Sequence, residues 1–141
     1  MRPRYETNAD RKRQQDAVAR LAGHMGVEAK PTADLAPWDY DLHRAGELVA
    51  IVEVKCRLCL STTYPTYMIG SAKVETLRDA AAERGVPGLL LVAWMDRLGL
   101  IDAGVAASRA MRAHGGRVDR GDPLDLEPVL HIPMGLFKLS T

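Results

Sequence analysis

The sequence lacks three features that would place it at once in a common class of protein: an excess of one charge, a long apolar run and a cysteine framework. Its 19 Lys and Arg residues nearly balance its 18 Asp and Glu residues. No overall field therefore draws it to a polyanion, and any such attraction must come from local patches. No apolar stretch approaches the ~20 residues of a membrane helix, and residues 1–20 are charged throughout. We therefore expect no signal peptide and no membrane partner, and we predict a cytoplasmic protein.

The two cysteines, Cys56 and Cys59, form a C-x-x-C pair that does not extend to a recognisable site. A structural zinc site needs four ligands, and the chain has no second cysteine pair and only singly scattered histidines. A redox pair would open a helix after a strand, and no such unit follows here. We interpret the cysteines as free thiols. The chain also has no glycine-rich phosphate loop and no nucleophile elbow, so no motif supports a small-molecule enzyme.

Residue patterns predict a single α/β domain over residues 1–141, a length that suits one hydrophobic core. Apolar residues at helical spacing and flanking stop signals predict helices over residues 5–26 and 71–84. The apolar runs 48–54 and 88–94 predict buried strands, which a helical crossover would make parallel. We also predict, in chain order, a strand or loop at 27–36, a strand at 38–43, an irregular loop at 61–67, a strand at 100–102, a helix at 103–113, a loop at 115–123, and a strand at 127–132 after which Pro133 and Gly135 end the ordered chain.

The strand at 48–54 contains one charged residue, Glu53, and runs on to a second, Lys55. Side chains two residues apart on a strand share a face, so this carboxylate and this ammonium lie together, on the face of Val49 and Ile51. An ordinary solvent-facing ion pair at a strand end is the alternative interpretation. We favour a functional one because the charges follow two buried positions of the same face.

The preceding strand carries Asp39 and Asp41, also two residues apart. Whether they face Glu53 depends on the turn, because a shift of one residue moves the side chains of a whole strand to the other face. The glycine that ends the segment 44–46 suits the left-handed position of a three-residue loop. That loop pairs Asp39 with Ile51 and puts both aspartates on the face of the glutamate, whereas a two-residue loop would place them on opposite faces.

Two carboxylates and an ammonium that converge on one point suit a hard divalent cation. Carboxylate oxygens are ligands that Mg²⁺ prefers, and a lysine beside them can orient or polarise an attacking water. The hairpin therefore predicts a metal-dependent hydrolytic site.

Asp39, followed by E-V-K at residues 53–55, resembles the D…(D/E)xK signature of the PD-(D/E)xK nuclease superfamily. The segments W-D-Y, E-V-K-C-R and Y-P-T-Y-M also resemble small phage-encoded proteins of this class. The resemblance covers residues 5–94. It implies a restriction-endonuclease-like fold, in which helices flank a central mixed β-sheet in the order α-β-β-β-α-β.

The resemblance also implies a catalytic set. Asp39 and Glu53, with the backbone carbonyl of Val54, would hold Mg²⁺ or Mn²⁺. Lys55 would contact the attacking water or the scissile phosphate. The family's proline stands next to its aspartate, whereas a tryptophan intervenes here, so Asp41 stays open as the metal ligand in place of Asp39.

The first predicted helix carries two further features. Many members of the superfamily have an acidic residue on this helix that joins the metal site, and Glu6 lies where such a residue would be. A glutamate that simply favours the helix N-terminus is the equal alternative. The start of the helix is also basic, which is either a solvated face or a phosphate-contacting surface.

We predict that DNA is the partner and that seven residues contact it. They are Arg4, Arg11, Lys12, Arg57, Tyr64, Tyr67 and Lys73. No sequence-reading motif is visible, so we expect structure-specific or weakly sequence-specific cleavage in repair, recombination or phage DNA processing, in the host cytoplasm if the chain is phage-encoded. Cutting both strands needs two centres, which a homodimer would supply. The alternative is a nucleic-acid-binding or interaction module that keeps the fold without catalysis.

Overall fold

The computed structural model describes residues 8–33, 36–115 and 127–140. These residues form three helices, Asn8–Met25 (α1), Ser71–Arg84 (α2) and Ala103–Arg109 (α3). They also form nine strands, Glu28–Pro31 (β1), Tyr40–Arg44 (β2), Glu47–Cys56 (β3), Thr66–Gly70 (β4), Gly88–Ala93 (β5), Leu98–Asp102 (β6), Met111–Gly115 (β7), Glu127–Pro133 (β8) and Lys138–Ser140 (β9). A 3-10 turn, Met134–Leu136, precedes the last strand.

Local chemistry fixes the ends of the helices. α1 is followed by Gly26 and α2 by Gly85, whose φ angles of 68° and 66° are left-handed and therefore suit glycine. α3 begins after Asp102, whose carboxylate accepts from the amides of Gly104 and Val105 and so caps the helix. Among the described residues, no helix is both long and apolar enough to cross a membrane.

The larger sheet has six strands in the order β1-β2-β3-β5-β6-β9. β3 and β5 run parallel and the other neighbouring pairs run antiparallel, which confirms the predicted mixed sheet and its parallel pair. α1 packs on one face, against Val52 and Val54, while α2 and α3 pack on the other, around Ile51 and Leu90. Because side chains alternate along β3, Glu53 lies on the face of Ile51, with α2 and α3.

A smaller antiparallel sheet, β4-β8-β7, lies on the side of α2 and α3 and is absent from the sequence prediction. The irregular loop predicted at 61–67 gives way to β4, and the helix predicted at 103–113 ends at Arg109, with β7 after it. The strand predicted at 127–132 is confirmed but belongs to this smaller sheet. The ordered chain also continues beyond Pro133, since β9 pairs with β6 at the edge of the larger sheet.

The hairpin between β2 and β3 turns through two residues, Ala45 and Gly46. Their φ angles of 51° and 80° are the left-handed pair that a type I′ turn requires, and Arg44 pairs with Glu47 across it. The three-residue loop predicted from the sequence is therefore wrong.

A β-bulge restores the parity that the shorter turn would have lost. The register shifts between Leu42 and His43, where Val49 of β3 is left without a partner on β2. One extra residue on one strand reverses the face that its later residues present. Asp41 consequently lies opposite Ile51, so the predicted pairing of Asp39 with Ile51 is wrong. The predicted face is retained, because Asp41 shares the face of Ile51.

Candidate active site

Asp39 comes just before β2 and is tied to β3 by two hydrogen bonds. Its backbone amide donates to the carbonyl of Val52 (2.9 Å), and its Oδ2 accepts from the backbone amide of Val54 (2.7 Å). Its carboxylate lies close enough to that of Glu53 to raise the pKa of Glu53 through its charge and a side-chain hydrogen bond. Two strands therefore bring their carboxylates side by side.

Glu53 is an almost fully buried carboxylate, 4% exposed. Burial raises the pKa of Glu53 well above its ordinary value, and the adjacent charge of Asp39 raises it further, to about 7. Two ammonium groups act in the opposite direction. The Nζ atoms of Lys55 and Lys73 lie 3.8 Å and 3.7 Å from Oε1 of Glu53. Because the pKa is raised despite both lysines, the pair of carboxylates favours either a shared proton or a further cation.

Lys73 reaches this site from the first turn of α2, and sequence reasoning missed its contact with Glu53. α2 begins after Gly70 with no side-chain cap and no acidic residue in its first turn. A cation there is opposed by the helix dipole unless a carboxylate lies near it, and Glu53 is that carboxylate. A lysine in an uncapped first turn was the signal that could have pointed to the contact.

Asp41 shares the face of the site but its carboxylate is engaged elsewhere. Its Oδ1 accepts from the indole Nε1 of Trp38 (2.7 Å), and the guanidinium of Arg84 lies 4.5 Å from the centroid of the Trp38 ring. Asp41 also lies opposite Ile51, which is two residues from Glu53 along β3. The geometry therefore favours Asp39 over Asp41 as the partner of Glu53.

The donor set suits a hard divalent cation. The two carboxylates offer oxygen ligands, and the carbonyl of Val54 points to the same side of β3 as its amide, which bonds Asp39. Within the described ranges, no group of three or more His, Cys, Asp or Glu side chains could hold a metal ion. The remaining positions would fall to water, which Mg²⁺ readily keeps. Glu6, the other predicted acidic residue, lies outside the described residues.

The basic residues predicted to contact DNA on the first helix are not brought to this site. Arg11 and Lys12 are exposed on α1, which packs on the face of the sheet opposite to Glu53. Arg4 lies outside the described residues, as does the predicted loop at 115–123 beyond its first residue.

Three other residues predicted to contact DNA lie on the segment after β3 and on β4. The guanidinium of Arg57 lies 5.4 Å from the ring centroid of Tyr67. Tyr67 is 5% exposed and meets Trp94 and Phe137 edge to face, and burial raises the pKa of its hydroxyl. Its ring therefore belongs to the core and has no open face for a base. Tyr64 is 57% exposed and is open to a ligand.

The fold is similar to that of a solved nuclease. The structure matches that of Hjc, a Holliday junction resolvase from the archaeal hyperthermophile Archaeoglobus fulgidus, with a TM-score of 0.60. The match covers 89% of this chain and 85% of that chain at 14% sequence identity. At this identity the likeness shows the fold alone, which is restriction-endonuclease-like. No curated protein matches the sequence.

A protein-family comparison takes in nearly the whole chain. The family described as "Phage putative PDDEXK endonuclease" matches residues 1–139. The matched region includes Asp39 and the E-V-K segment at 53–55, the residues on which the resemblance rests. This protein therefore belongs to the phage PDDEXK endonuclease family.

Proposed function

We propose that the protein is a DNA nuclease that depends on a divalent metal, with its centre between the end of β2 and the end of β3. One observation carries the proposal. Buried Glu53, with a pKa of about 7, lies beside Asp39, and two lysine ammonium groups approach within 4 Å of it. Buried carboxylates need cationic partners, and their hard oxygens suit Mg²⁺ or Mn²⁺. Membership of the nuclease family supports phosphodiester hydrolysis.

Each residue has a distinct role in this proposal. A bound Mg²⁺ or Mn²⁺ would supply an activated water and stabilise charge on the leaving oxygen. Asp39, Glu53 and the carbonyl of Val54 would hold the ion. Lys55, on the same face of β3, hydrogen-bonds the attacking water or the scissile phosphate. Lys73 approaches from α2 and neutralises charge on the phosphate, as a flexible ammonium can.

We propose branched or locally distorted DNA as the substrate. The relative of similar fold is a resolvase of Holliday junctions, and the near-zero net charge of this chain provides no general attraction to DNA. The shape of the DNA, rather than bulk electrostatics, then selects the target. Cutting two strands needs two centres, so we propose that a homodimer acts, in the cytoplasm of a phage-infected host.

A nuclease assay tests the proposal. Purified protein is incubated with a four-way junction, a fork, a single strand and a perfect duplex, each with Mg²⁺, Mn²⁺ or EDTA. We expect cleavage of the branched substrates with either metal and none in EDTA. Asp39→Ala and Lys55→Ala should abolish cleavage while the melting temperature stays close to that of the wild type. Lys138→Ala, which removes an exposed lysine from the edge strand β9, is the matched control and should cut normally.

Two outcomes would contradict the proposal. Metal-dependent cleavage retained in both Asp39→Ala and Lys55→Ala would refute the assignment of the centre. DNA binding without any heat of Mn²⁺ binding in a calorimetric titration, unchanged in Glu53→Gln, would indicate a binding module that keeps the fold without catalysis.

A further inference from the structure

Large apolar side chains are exposed together on the segment that follows β3. They are Leu58 (77% exposed), Leu60 (52%) and Tyr64 (57%), joined by Met95 (64%) from the turn between β5 and β6. The amide of Met95 donates to the carbonyl of Cys59 (3.0 Å), which brings the two segments together. We call these four side chains the apolar ridge. Exposed apolar side chains that adjoin one another are typical of an interaction site.

Hydrogen bonds fix the backbone that carries the apolar ridge. The amide and hydroxyl of Ser61 donate to the two carboxylate oxygens of Asp96 (2.8 and 2.7 Å). The amide of Thr63 donates to the carbonyl of Leu60 (3.0 Å), and the hydroxyl of Thr63 accepts from the amide of Leu60 (3.1 Å). The exposure of the ridge is therefore part of the folded structure, not the result of a loose loop.

The apolar ridge adjoins the proposed catalytic strand and carries favourable charge. Leu58 is three residues beyond Lys55, so at ~3.3 Å per extended residue their Cα atoms lie within about 10 Å. Arg57 and Arg97 lie next to the ridge in the sequence. Residues 57–64 and 95–97, which carry the ridge, contain one acidic residue, Asp96. Both carboxylate oxygens of Asp96 already accept hydrogen bonds. A phosphate backbone that enters the centre can thus continue past the ridge without meeting an uncompensated carboxylate.

We propose that the apolar ridge contacts unpaired bases of the DNA that the centre cuts, which makes DNA with locally unpaired or unstacked bases the substrate class. The inference rests on the proposed nuclease function. Leu and Met side chains wedge between base steps, and an exposed tyrosine stacks on a single-stranded base without reading its sequence. A perfect duplex hides the faces of its bases, so the ridge discriminates against it.

A binding experiment in EDTA separates recognition from cleavage. The probes are a duplex with a short bulge that contains 2-aminopurine and a perfect duplex of the same sequence. The wild type should bind the bulged probe more tightly and change its fluorescence. The double variant Leu58→Ser/Tyr64→Ala should lose about tenfold in affinity for the bulged probe, lose the fluorescence change, and bind the perfect duplex within about twofold of the wild type. Met111→Ser, at an exposed position on β7, is the matched control and should change neither affinity.

Three results would overturn the inference. The first is no loss of affinity for the bulged probe in the double variant, and the second is an equal loss for both probes. The third is unchanged DNA binding with a lower molecular mass by light scattering, which would assign the ridge to a contact between two copies of the chain. A titration with Mn²⁺ distinguishes failure of this inference from failure of the proposed function. If only the inference fails, the wild type and the double variant still bind Mn²⁺ and the wild type still cuts DNA. If the proposed function fails, the wild type itself neither binds Mn²⁺ nor cuts DNA.

Discussion

Two acidic residues near the ends of adjacent strands, Glu53 and Asp96, differ in burial and in the direction in which folding shifts their pKa. Asp96 is exposed, and hydrogen bonds from the amide and hydroxyl of Ser61 lower its pKa. Glu53 is buried, and burial together with Asp39 raises its pKa to about 7. Its two lysines stand 3.7 Å and 3.8 Å away, beyond the 2.7–2.9 Å of a strong charged hydrogen bond. The fold itself satisfies the first carboxylate, whereas the ion pairs of the second are long, and we propose that a metal ion completes its partners.

The largest expected effect is on cleavage. Glu53→Gln keeps the shape of the side chain but removes the anionic metal ligand, so the single-turnover cleavage rate should fall on the order of 10³-fold. Glu47→Gln, at the exposed start of the same strand, should cut at the wild-type rate. A loss of less than tenfold in Glu53→Gln would show that Glu53 needs no completing ligand, and the contrast with Asp96 would fail.

The second effect concerns stability without metal. The pKa of Glu53 is raised on folding, so its contribution to stability is fully present below the ordinary Glu pKa and is lost as the pH rises through 7. At ~1.4 kcal/mol per pKa unit, that loss should approach about 3 kcal/mol. Urea denaturation in EDTA at pH 5 to 8 should show it in the wild type and not in Glu53→Gln. If the free energy of unfolding varied equally with pH in the two proteins, folding would not raise the pKa of Glu53.

A smaller effect distinguishes Lys73 from an ordinary surface lysine. Lys73→Gln should lower kcat/KM about tenfold, because a flexible ammonium near the phosphate is lost. Since Lys73 also lowers the pKa of Glu53, its removal should move the acidic limb of the pH–rate profile to higher pH. Lys138→Gln should change neither quantity. An unshifted profile in Lys73→Gln would make the contact with Glu53 incidental.

The smallest expected effect concerns Asp96, whose two carboxylate oxygens both accept hydrogen bonds. Ser61→Ala removes one of the two hydrogen bonds to Asp96 and should lower the melting temperature by a few degrees. Because the pKa of Asp96 is lowered on folding, this contribution is present above the ordinary Asp pKa and lost as the pH falls through the lowered one. The difference from the wild type should therefore shrink in acid. Ser108→Ala, on the surface of α3, is the control, and a loss that persists in acid would contradict the role of the Asp96 charge.

Much of the fold follows from local signals in the sequence. The second helix, predicted over 71–84, has those bounds in the structure, because a glycine stop and an apolar stripe specify it without help from the rest of the chain. The parallel pairing of β3 with β5 follows from two apolar runs joined by that helix. The shared face of Asp39 and Glu53 was predicted too, although through the wrong turn and with Asp39 instead of Asp41 opposite Ile51. β3 is apolar on both faces, so its pattern of residues carries no information about register.

The missed features depend on contacts between residues distant in sequence. The alanine-rich stretch predicted as one helix ends at Arg109 because the residues after it pair with β8, and this pairing outweighs helix propensity. β4 was not predicted because polar turn residues precede it. The burial of its Tyr67 depends on packing against aromatic residues that are distant in the sequence. The contact of Lys73 with Glu53 likewise exists only after α2 has packed on the sheet.

The extra residue in β3, Val49, makes the length of this hairpin adjustable at one point. Because the bulge absorbs it, a chain that lacks this residue would still pair Leu42 with Ala50 and Asp41 with Ile51, in a ladder without a bulge. A single residue inserted between Ala50 and Glu53 would instead turn the carboxylates of Asp39 and Glu53 to opposite faces. In related chains, length should therefore vary at the bulge and stay constant between the bulge and the carboxylates.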